Sequence, residues 1–155
     1  MSYWESKGKS DEWYTPKYIF DDLDCSFDLD VASPESKTNV PCERSISNDS
    51  LSKVWQGFVW MNPPFEGRNG LVPWLDKFFE HGNGICLTPD RSSTPWYHTC
   101  LEKANCMIIV KGKIKFQRPD GTFGKSPSNG TSLFGIGDKA ISVMEKTKLG
   151  KYIQL

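Results

Sequence analysis

The sequence predicts an α/β domain whose sheet begins parallel and is completed by an antiparallel hairpin. Two observations lead to this prediction. Between residues 57 and 110, short apolar runs typical of buried strands alternate with stretches whose apolar residues have helical spacing. After Gly112, short strand-like runs follow one another closely around a long polar loop. The 155 residues are enough for one domain, 1–155, and no linker divides the chain.

The N-terminal half is expected to contain one helix and two strands. Residues 1–10 form a loose polar lead-in, and Pro16 suits the first turn of a helix whose apolar face is Ile19, Phe20 and Leu23. The alternating segment FDLDV predicts the first strand. Residues 32–50 are rich in Ser, Pro and Asn and are expected to be mostly loop, and a second strand is expected at about residues 57–61.

The second half continues the alternation of helices and strands. GLVPWLDKFFEHG has helical spacing and should end at Gly82, and STPWYHTCLEKA opens with a Ser/Thr cap and a proline. GICLTPD and NCMIIVKG predict the third and fourth strands. The loop of residues 117–130 is rich in Gly, Pro and Ser, and SLFGIG and AISVME after it are expected to pair as the terminal hairpin.

Composition restricts the class of protein. No apolar run approaches the ~20 residues that span a bilayer, and the polar N-terminus does not resemble a secretory signal, so we expect a cytoplasmic protein. The five cysteines are odd in number and form no CxxC pair, which argues against a disulfide framework and a zinc site. We therefore expect no metal.

Charge is unevenly distributed although the net charge is zero. Residues 1–110 contain 10 Lys and Arg against 16 Asp and Glu, whereas residues 111–155 contain nine against three. A basic segment beside an acidic body is suited to contacting phosphates. A solvated Lys-rich surface is the alternative interpretation.

The segment Asn62-Pro63-Pro64-Phe65 directly follows the second predicted strand. In open α/β sheets, ligands bind beyond the carboxyl ends of strands. Two prolines make a rigid turn without N–H donors, so the Asn62 side-chain oxygen and the Pro63 carbonyl are able to accept hydrogen bonds from one amino group. Phe65 would stack on a flat ring bearing that group. The alternative is an ordinary turn, because Asn-Pro often initiates turns.

The order of several motifs resembles a known family. WYTP, FDLDVAS, NDSL followed by VWMNPPF, LTPDRSSTPWYH and KGKIKF are together similar to the phage DNA N6-adenine methyltransferases (Dam), over about residues 11–136. The resemblance implies a Rossmann-like, mostly parallel sheet, S-adenosylmethionine as methyl donor, double-stranded DNA as substrate and phage origin in a bacterial host. A departure is the segment DVASPES, which lacks the Gly-rich loop that most methyltransferases carry there.

The resemblance also suggests binding residues. Thr15 and Pro16 match the element near the methionine end of the donor, and Asp49 matches an acidic position near its adenine or ribose. Asp28 and Asp30, at the end of the first strand, are candidates to accept from the donor's ammonium or ribose hydroxyls. Each has a structural alternative: a helix cap for Thr15-Pro16, a turn for Asp49 and a solvated polar strand face for the other two aspartates.

Six residues are expected to contact DNA. Those after the third strand would reach phosphate or line the target-base pocket, and those beside the long loop would hold phosphates. The alternatives are a helix start with core aromatics and a disordered surface loop. The six residues are Arg91, Ser92, Thr94, Lys113, Lys115 and Arg118.

Other functions remain open at this stage. The same turn would hold any planar NH₂, so an RNA or protein-glutamine methyltransferase is possible, as is a catalytically inactive methyltransferase fold that binds DNA. Cytosine-C5 chemistry would need a nucleophilic Cys after Pro, and Pro41-Cys42 lies far from the Asn-Pro-Pro-Phe motif. A monomer is the default, and a homodimer would suit a palindromic site.

Overall fold

The computed structural model describes residues 13–35, 38–64, 70–125 and 129–155, and these residues form an α/β sheet of seven strands. The strands are β1 Phe27–Asp30, β2 Cys42–Ser45, β3 Val59–Met61, β4 Gly84–Pro89, β5 Cys106–Val110, β6 Thr131–Ile136 and β7 Gly150–Gln154. The helices are α1 Lys17–Leu23, α2 Val72–His81, α3 Pro95–Lys103 and α4 Asp138–Met144, with a 3₁₀ helix at Ser50–Ser52. In space the strands run β2-β1-β3-β4-β6-β5-β7.

The expected helix boundaries have local causes. The hydroxyl of Thr94 accepts from the N–H of Tyr97 at 3.4 Å and caps α3, whose first turn contains Pro95. Helix α2 ends at Gly82, which has a φ of 78° and donates its N–H to the carbonyl of Phe78. The Ser/Thr cap and the terminal glycine therefore act as the sequence predicts.

Helices cover both faces of the sheet. On one face, α1 and α4 pack on a cluster that includes Phe27, Trp60 and Ile108. On the other, α2 and α3 pack on a second cluster that includes Val59 and Phe134. Because strands β3, β4 and β6 are buried on both faces, they consist of nearly continuous apolar residues without strict alternation.

The prediction of a mostly parallel sheet is wrong. Strands β2, β1, β3 and β4 are parallel neighbours, but β6 enters between β4 and β5 and is antiparallel to both. Strand β7 then pairs antiparallel with the other edge of β5. The antiparallel ladders are also the longer ones, so antiparallel pairing predominates.

The predicted terminal hairpin is wrong for the same region. AISVME is not a strand but belongs to α4, which buries Ala140, Val143 and Met144 at helical spacing. Gly135 in β6 makes room for this helix, because a Cβ atom there would lie 2.5 Å from the sulfur of Met144. The chain therefore returns to the sheet edge only at β7, a segment for which the sequence analysis predicts no element.

The segment 32–50, predicted to be mostly loop, contains a strand and the start of a 3₁₀ helix. Within its described residues, β2 pairs parallel with β1, and the 3₁₀ helix begins at Ser50. Strand β2 reads CERS and is mostly exposed at the sheet edge, so it has no apolar alternation that would predict it.

Candidate active site

A cleft of about 650 Å³ lies at the carboxyl ends of β1, β2 and β3. Its location follows from topology, because the chain leaves β1 for β2 on one side and places β3 on the other. Such a reversal of strand order opens a crevice at the ends of the strands. The lining comes from the segments that follow the three strands, from α2 and from two aromatic residues. These residues are Trp13, 31–35, 46–52, 62–64, Trp74 and Phe116.

The Asn-Pro-Pro turn forms part of this cleft, as expected from its position after β3. Pro63 is buried and Pro64 is exposed, while Asn62 is half-buried. The Asn62 side-chain nitrogen donates to the hydroxyl of Thr15 at 3.3 Å. The amide oxygen of Asn62 is thereby the end of the side chain left to accept from a ligand. Phe65 lies outside the described residues.

Trp13 is a cleft residue that the sequence analysis did not single out. Its indole ring lies under the guanidinium of Arg118, 5.0 Å from ring centroid to Cζ, and a Cβ atom on Gly124 would come within 2.5 Å of the ring. Its N–H is buried and has no acceptor among the residues that the structure describes. A buried unpaired donor beside a cleft is costly unless a ligand or water accepts from it. The only sequence signal was its place in the WYTP segment.

The three acidic candidates have different surroundings. Asp49 lines the cleft and adopts a left-handed backbone, with a φ of 53°, at the start of the 3₁₀ helix. Asp28 accepts the N–H of Phe58 at 2.7 Å, so its carboxylate holds the turn before β3 and is not among the lining residues. Asp30 is 3% exposed, which excludes the solvated strand face that was its alternative interpretation.

Asp30 is adjacent to the cleft-lining segment 31–35. Its carboxyl group accepts the N–H of Ala32 at 3.2 Å. Burial raises its pKa from 3.8 to about 7, and the hydrogen bond from Ala32 only partly opposes that shift. The group is therefore poised between its neutral and charged forms near neutral pH.

The residues after β4 do not join the cleft lining. Arg91 and Ser92 are exposed, and the hydroxyl of Thr94 donates to the carbonyl of Arg91 at 2.7 Å while capping α3. Trp96 and Tyr97 are core residues, as the structural alternative had it. Tyr97 shares a hydrogen bond of 2.7 Å with the hydroxyl of Ser132, which in turn donates to Asp90.

The basic candidates stand on a segment that is anchored by its apolar neighbours. Lys113 and Lys115 are exposed, whereas Ile114 and Phe116 between and after them are buried. Arg118 stacks on Trp13 and donates to the carbonyl of Phe123 at 2.8 Å. Within the described part of the 117–130 loop, Arg118 and Gly124 thus lie against Trp13, whereas residues 119–123 are exposed.

The cysteines of the described chain do not form a reactive centre. Cys86, Cys100 and Cys106 are buried, and burial raises the pKa of each thiol. Cys42 begins β2, outside the cleft lining, and burial raises its pKa also. This placement gives Cys42 no nucleophilic role.

The described residues contain neither a metal-binding cluster nor a membrane-spanning helix. They contain no group of three His, Cys, Asp or Glu side chains arranged to hold a metal ion. None of their helices has the length and apolar character needed to cross a bilayer.

This α/β sheet, with an acceptor-bearing cleft at the ends of its parallel strands, is consistent with a methyltransferase-like fold. Residues 5–142 match the model of the family described as DNA N-6-adenine-methyltransferase (Dam). The chain belongs to this family, and its enzyme class is adenine-specific DNA methyltransferase.

Two phage proteins named DNA N-6-adenine-methyltransferase are similar to the chain. The protein of Haemophilus phage HP1 is 27% identical over 118 residues, which cover 71% of this chain and 68% of the phage protein. The protein of Escherichia phage T1 is 30% identical over 112 residues, which cover 67% of this chain and 46% of the phage protein. No solved structure matches the chain with statistical significance.

Proposed function

We propose that this chain transfers a methyl group from S-adenosylmethionine to the N6 amine of adenine in double-stranded DNA. In this proposal the base is flipped out of the duplex and its amine would attack the donor's methyl group directly, without a covalent enzyme intermediate. The N–C bond would form as the S–C bond breaks, and the demethylated donor and one proton of the amine would leave. The observation that carries the proposal is the position of Asn62 in the cleft wall, with its amide nitrogen engaged by Thr15 and its amide oxygen left to accept.

The cleft has the size and lining that suit the methyl donor. Its volume of about 650 Å³ is in the range typical of small-molecule sites. Ala32 and Ser33 present small side chains where most methyltransferases have glycines, and Asp49 offers a carboxylate to hydroxyl groups. The unpaired indole N–H of Trp13 offers a donor. When bound, S-adenosylmethionine supplies a methyl group whose carbon is electrophilic because it is attached to a positively charged sulfur.

The protein's part in the reaction is to hold the amine. The Asn62 side-chain oxygen and the Pro63 carbonyl accept hydrogen bonds from its two N–H groups. These bonds favour a pyramidal nitrogen, whose lone pair is no longer delocalised into the ring. The rigid Pro63-Pro64 turn fixes these acceptors before the substrate arrives, so little reorganisation is needed. Phe65 is proposed to stack on the flipped ring. Lys113, Lys115 and Arg118 are proposed to hold phosphates, and Arg91, Ser92 and Thr94 to contact the strand or the base.

The same acceptors would hold the amine of an RNA base or the amide of a protein glutamine. The exposed lysines at positions 113 and 115 and the basic balance of residues 111–155 favour a nucleic acid over a protein. Family membership favours DNA over RNA.

The test is methyl transfer by the purified protein. Labelled S-adenosylmethionine is supplied with duplex DNA, RNA or protein extract in separate reactions, and the labelled product is identified by mass spectrometry. We expect N6-methyladenine in DNA. If the label appears in RNA or protein and not in DNA, the proposed substrate is wrong.

Two substitutions at one position test the amine-holding role. Asn62→Ala should lower the rate by about 100-fold or more while donor binding persists. Asn62→Asp keeps an oxygen acceptor of the same shape and should retain more activity than Asn62→Ala. Equal rates for wild type and Asn62→Ala would remove Asn62 from the mechanism.

A further inference from the structure

A series of side-chain hydrogen bonds connects the turn of residues 117–123 to Asn62. Gln117 donates from Nε2 to the carbonyl of Gly121 at 3.3 Å and accepts at Oε1 from Asn39 at 2.8 Å. Asn39 donates from the same Nδ2 to the carbonyl of Thr15 at 3.0 Å. Asn62 donates to the hydroxyl of Thr15 at 3.3 Å. We call Gln117, Asn39, Thr15 and Asn62 the amide relay.

The orientations of the Asn39 and Gln117 amides are fixed by backbone carbonyls. The carbonyl of Thr15 only accepts, so Asn39 must present its nitrogen there. That nitrogen also meets Gln117, which must therefore present its oxygen. The nitrogen of Gln117 then points to the carbonyl of Gly121, as observed. The donors and acceptors agree from one end of these two amides to the other.

Backbone pairing reinforces the relay. Tyr14 and Gln117 exchange both backbone hydrogen bonds, at 2.7 and 2.8 Å, so the N-terminal segment is fixed to the 117–123 turn. Thr15 is 5% exposed and follows directly in that segment. Its hydroxyl thus has a fixed position from which to engage Asn62.

We propose that Asn39 is a positioning residue for methyl transfer. Asn39 does not line the cleft, but it joins Thr15 to Gln117 and so fixes the hydroxyl that orients the Asn62 amide. This inference rests on the proposed function of Asn62. Its second consequence is that a turn beside the DNA-contacting lysines is connected to the group that holds the amine. Orientation of a reacting group strongly affects rate, and small misplacements cost up to about 100-fold.

Two isosteric substitutions distinguish the loss of the relay's hydrogen bonds from the effect of an added negative charge. Asn39→Asp removes the donor nitrogen and sets a carboxylate against two acceptors, so the relay breaks. Gln117→Glu keeps an oxygen for Asn39, and its other carboxylate oxygen faces the carbonyl of Gly121, so the bond to Gly121 is lost while those of Asn39 remain. Each adds one negative charge at the same place, so both should weaken DNA binding to a similar degree.

The expected difference is in the rate at saturation. Single-turnover methylation with saturating duplex and donor should be slower by about 10- to 100-fold in Asn39→Asp. It should be slowed by a smaller factor in Gln117→Glu, which keeps both hydrogen bonds of Asn39. The KM for the donor should change little in either variant. Equal saturating rates in the two variants would overturn the proposal.

If the half-buried carboxylate of Asn39→Asp impairs folding, a second variant at the same position tests the proposal. Asn39→Ala removes both hydrogen bonds without adding charge, and its fold is checked by circular dichroism and thermal melting. A folded Asn39→Ala with the wild-type saturating rate would also overturn the proposal. In Thr15→Val, which lacks the hydroxyl, adding Asn39→Ala should slow the reaction little further, because the path to Asn62 is already broken. Additive losses would place Asn39 outside the relay.

Failure of this inference differs from failure of the proposed function. If wild type forms N6-methyladenine and Asn39 variants match it, only the positioning role is lost. If wild type leaves duplex DNA unmethylated, the proposed function itself fails.

Discussion

Asp30 carries a carboxyl group whose charge opposes folding. Its pKa is raised by burial from 3.8 to about 7, so between about pH 4 and pH 7 the folded chain keeps a proton that the unfolded chain releases. The stability that protonated Asp30 contributes is fully present below the unfolded pKa of 3.8 and is lost as the pH rises through the folded pKa of about 7. Above about pH 7 the folded state bears a buried carboxylate with a single backbone donor, Ala32.

Asp30→Asn should therefore stabilise the donor-free protein at about pH 8. The amide keeps an acceptor for Ala32 and carries no charge, and the gain should be roughly 4 kcal/mol at most. Urea unfolding across pH is the measurement, and the difference between the two proteins should be small near pH 4 and widen to pH 8. A constant difference at all pH values would contradict the assignment. If Asp30 accepts from the donor's ammonium, the same change should weaken donor binding.

How far a single residue is predictable depends on what surrounds it in the chain. Asn62 was identified because a rigid proline turn follows a strand, a local pattern. Trp13 and Asn39 were not, because their roles arise from contacts with Arg118, Gly124 and Gln117, about 80 to 110 residues away. Nothing in a single sequence pairs such distant positions.

Among the elements, α2 both supports the sheet and holds one wall of the cleft. Lys77 on this helix donates to the carbonyls of Leu51 and Lys53, at 3.0 and 2.5 Å, and its Nζ lies 5.1 Å from the ring centroid of Trp55. The indole N–H of Trp55 donates to the carbonyl and hydroxyl of Ser50. Hydrogen bonds thus hold the 3₁₀ helix that follows Asp49 against α2 and against Trp55.

Lys77→Met should weaken binding of the donor, because it releases the 3₁₀ helix that lines the cleft from α2. The thioether chain preserves length but loses two charge-assisted hydrogen bonds, each worth about 1.5–3 kcal/mol when fully formed. We expect roughly tenfold weaker binding of S-adenosylhomocysteine by calorimetry, with partial recovery in Lys77→Arg. Lys103→Met, on α3 and outside the cleft lining, is the control and should bind as wild type does. Wild-type affinity in Lys77→Met would mean that the wall does not depend on this lysine.

Helices and strands were predicted correctly where capping residues and apolar periodicity agreed. The predictions failed where these two signals disagreed or were absent. The run AISV suggested a strand because it contains Ile and Val, yet the i, i+3, i+4 spacing of Ala140, Val143 and Met144 was the better signal. Strand β2 gave no signal, since an exposed edge strand needs no apolar face. Its partner β1 supplies the ladder instead.

At the scale of the whole molecule, the order of strands decides where the cleft lies. The α/β class and the cleft at the strand ends followed from short apolar runs joined by helices. The insertion of β6 between β4 and β5 did not, because a strand buried on both faces looks alike in parallel and antiparallel ladders. This insertion leaves the crevice between β1 and β3 unchanged, so a cleft lies at the predicted strand ends although the strand order was not predicted.

The uneven charge of the chain gives a last prediction, on DNA affinity. If Lys113 and Lys115 each contact a phosphate, changing both to Ala should reduce the slope of log affinity against log salt by about 2. Changing Lys148 and Lys151 to Ala is the matched control, because it alters net charge equally within the same basic third. Fluorescence anisotropy with a labelled duplex at several salt concentrations separates the two cases. Equal slopes in both double variants would mean that the basic third attracts DNA only through its total charge. A loss confined to positions 113 and 115 would locate the duplex beside the part of the cleft wall that Trp13 and Phe116 form, where Arg118 stacks on Trp13.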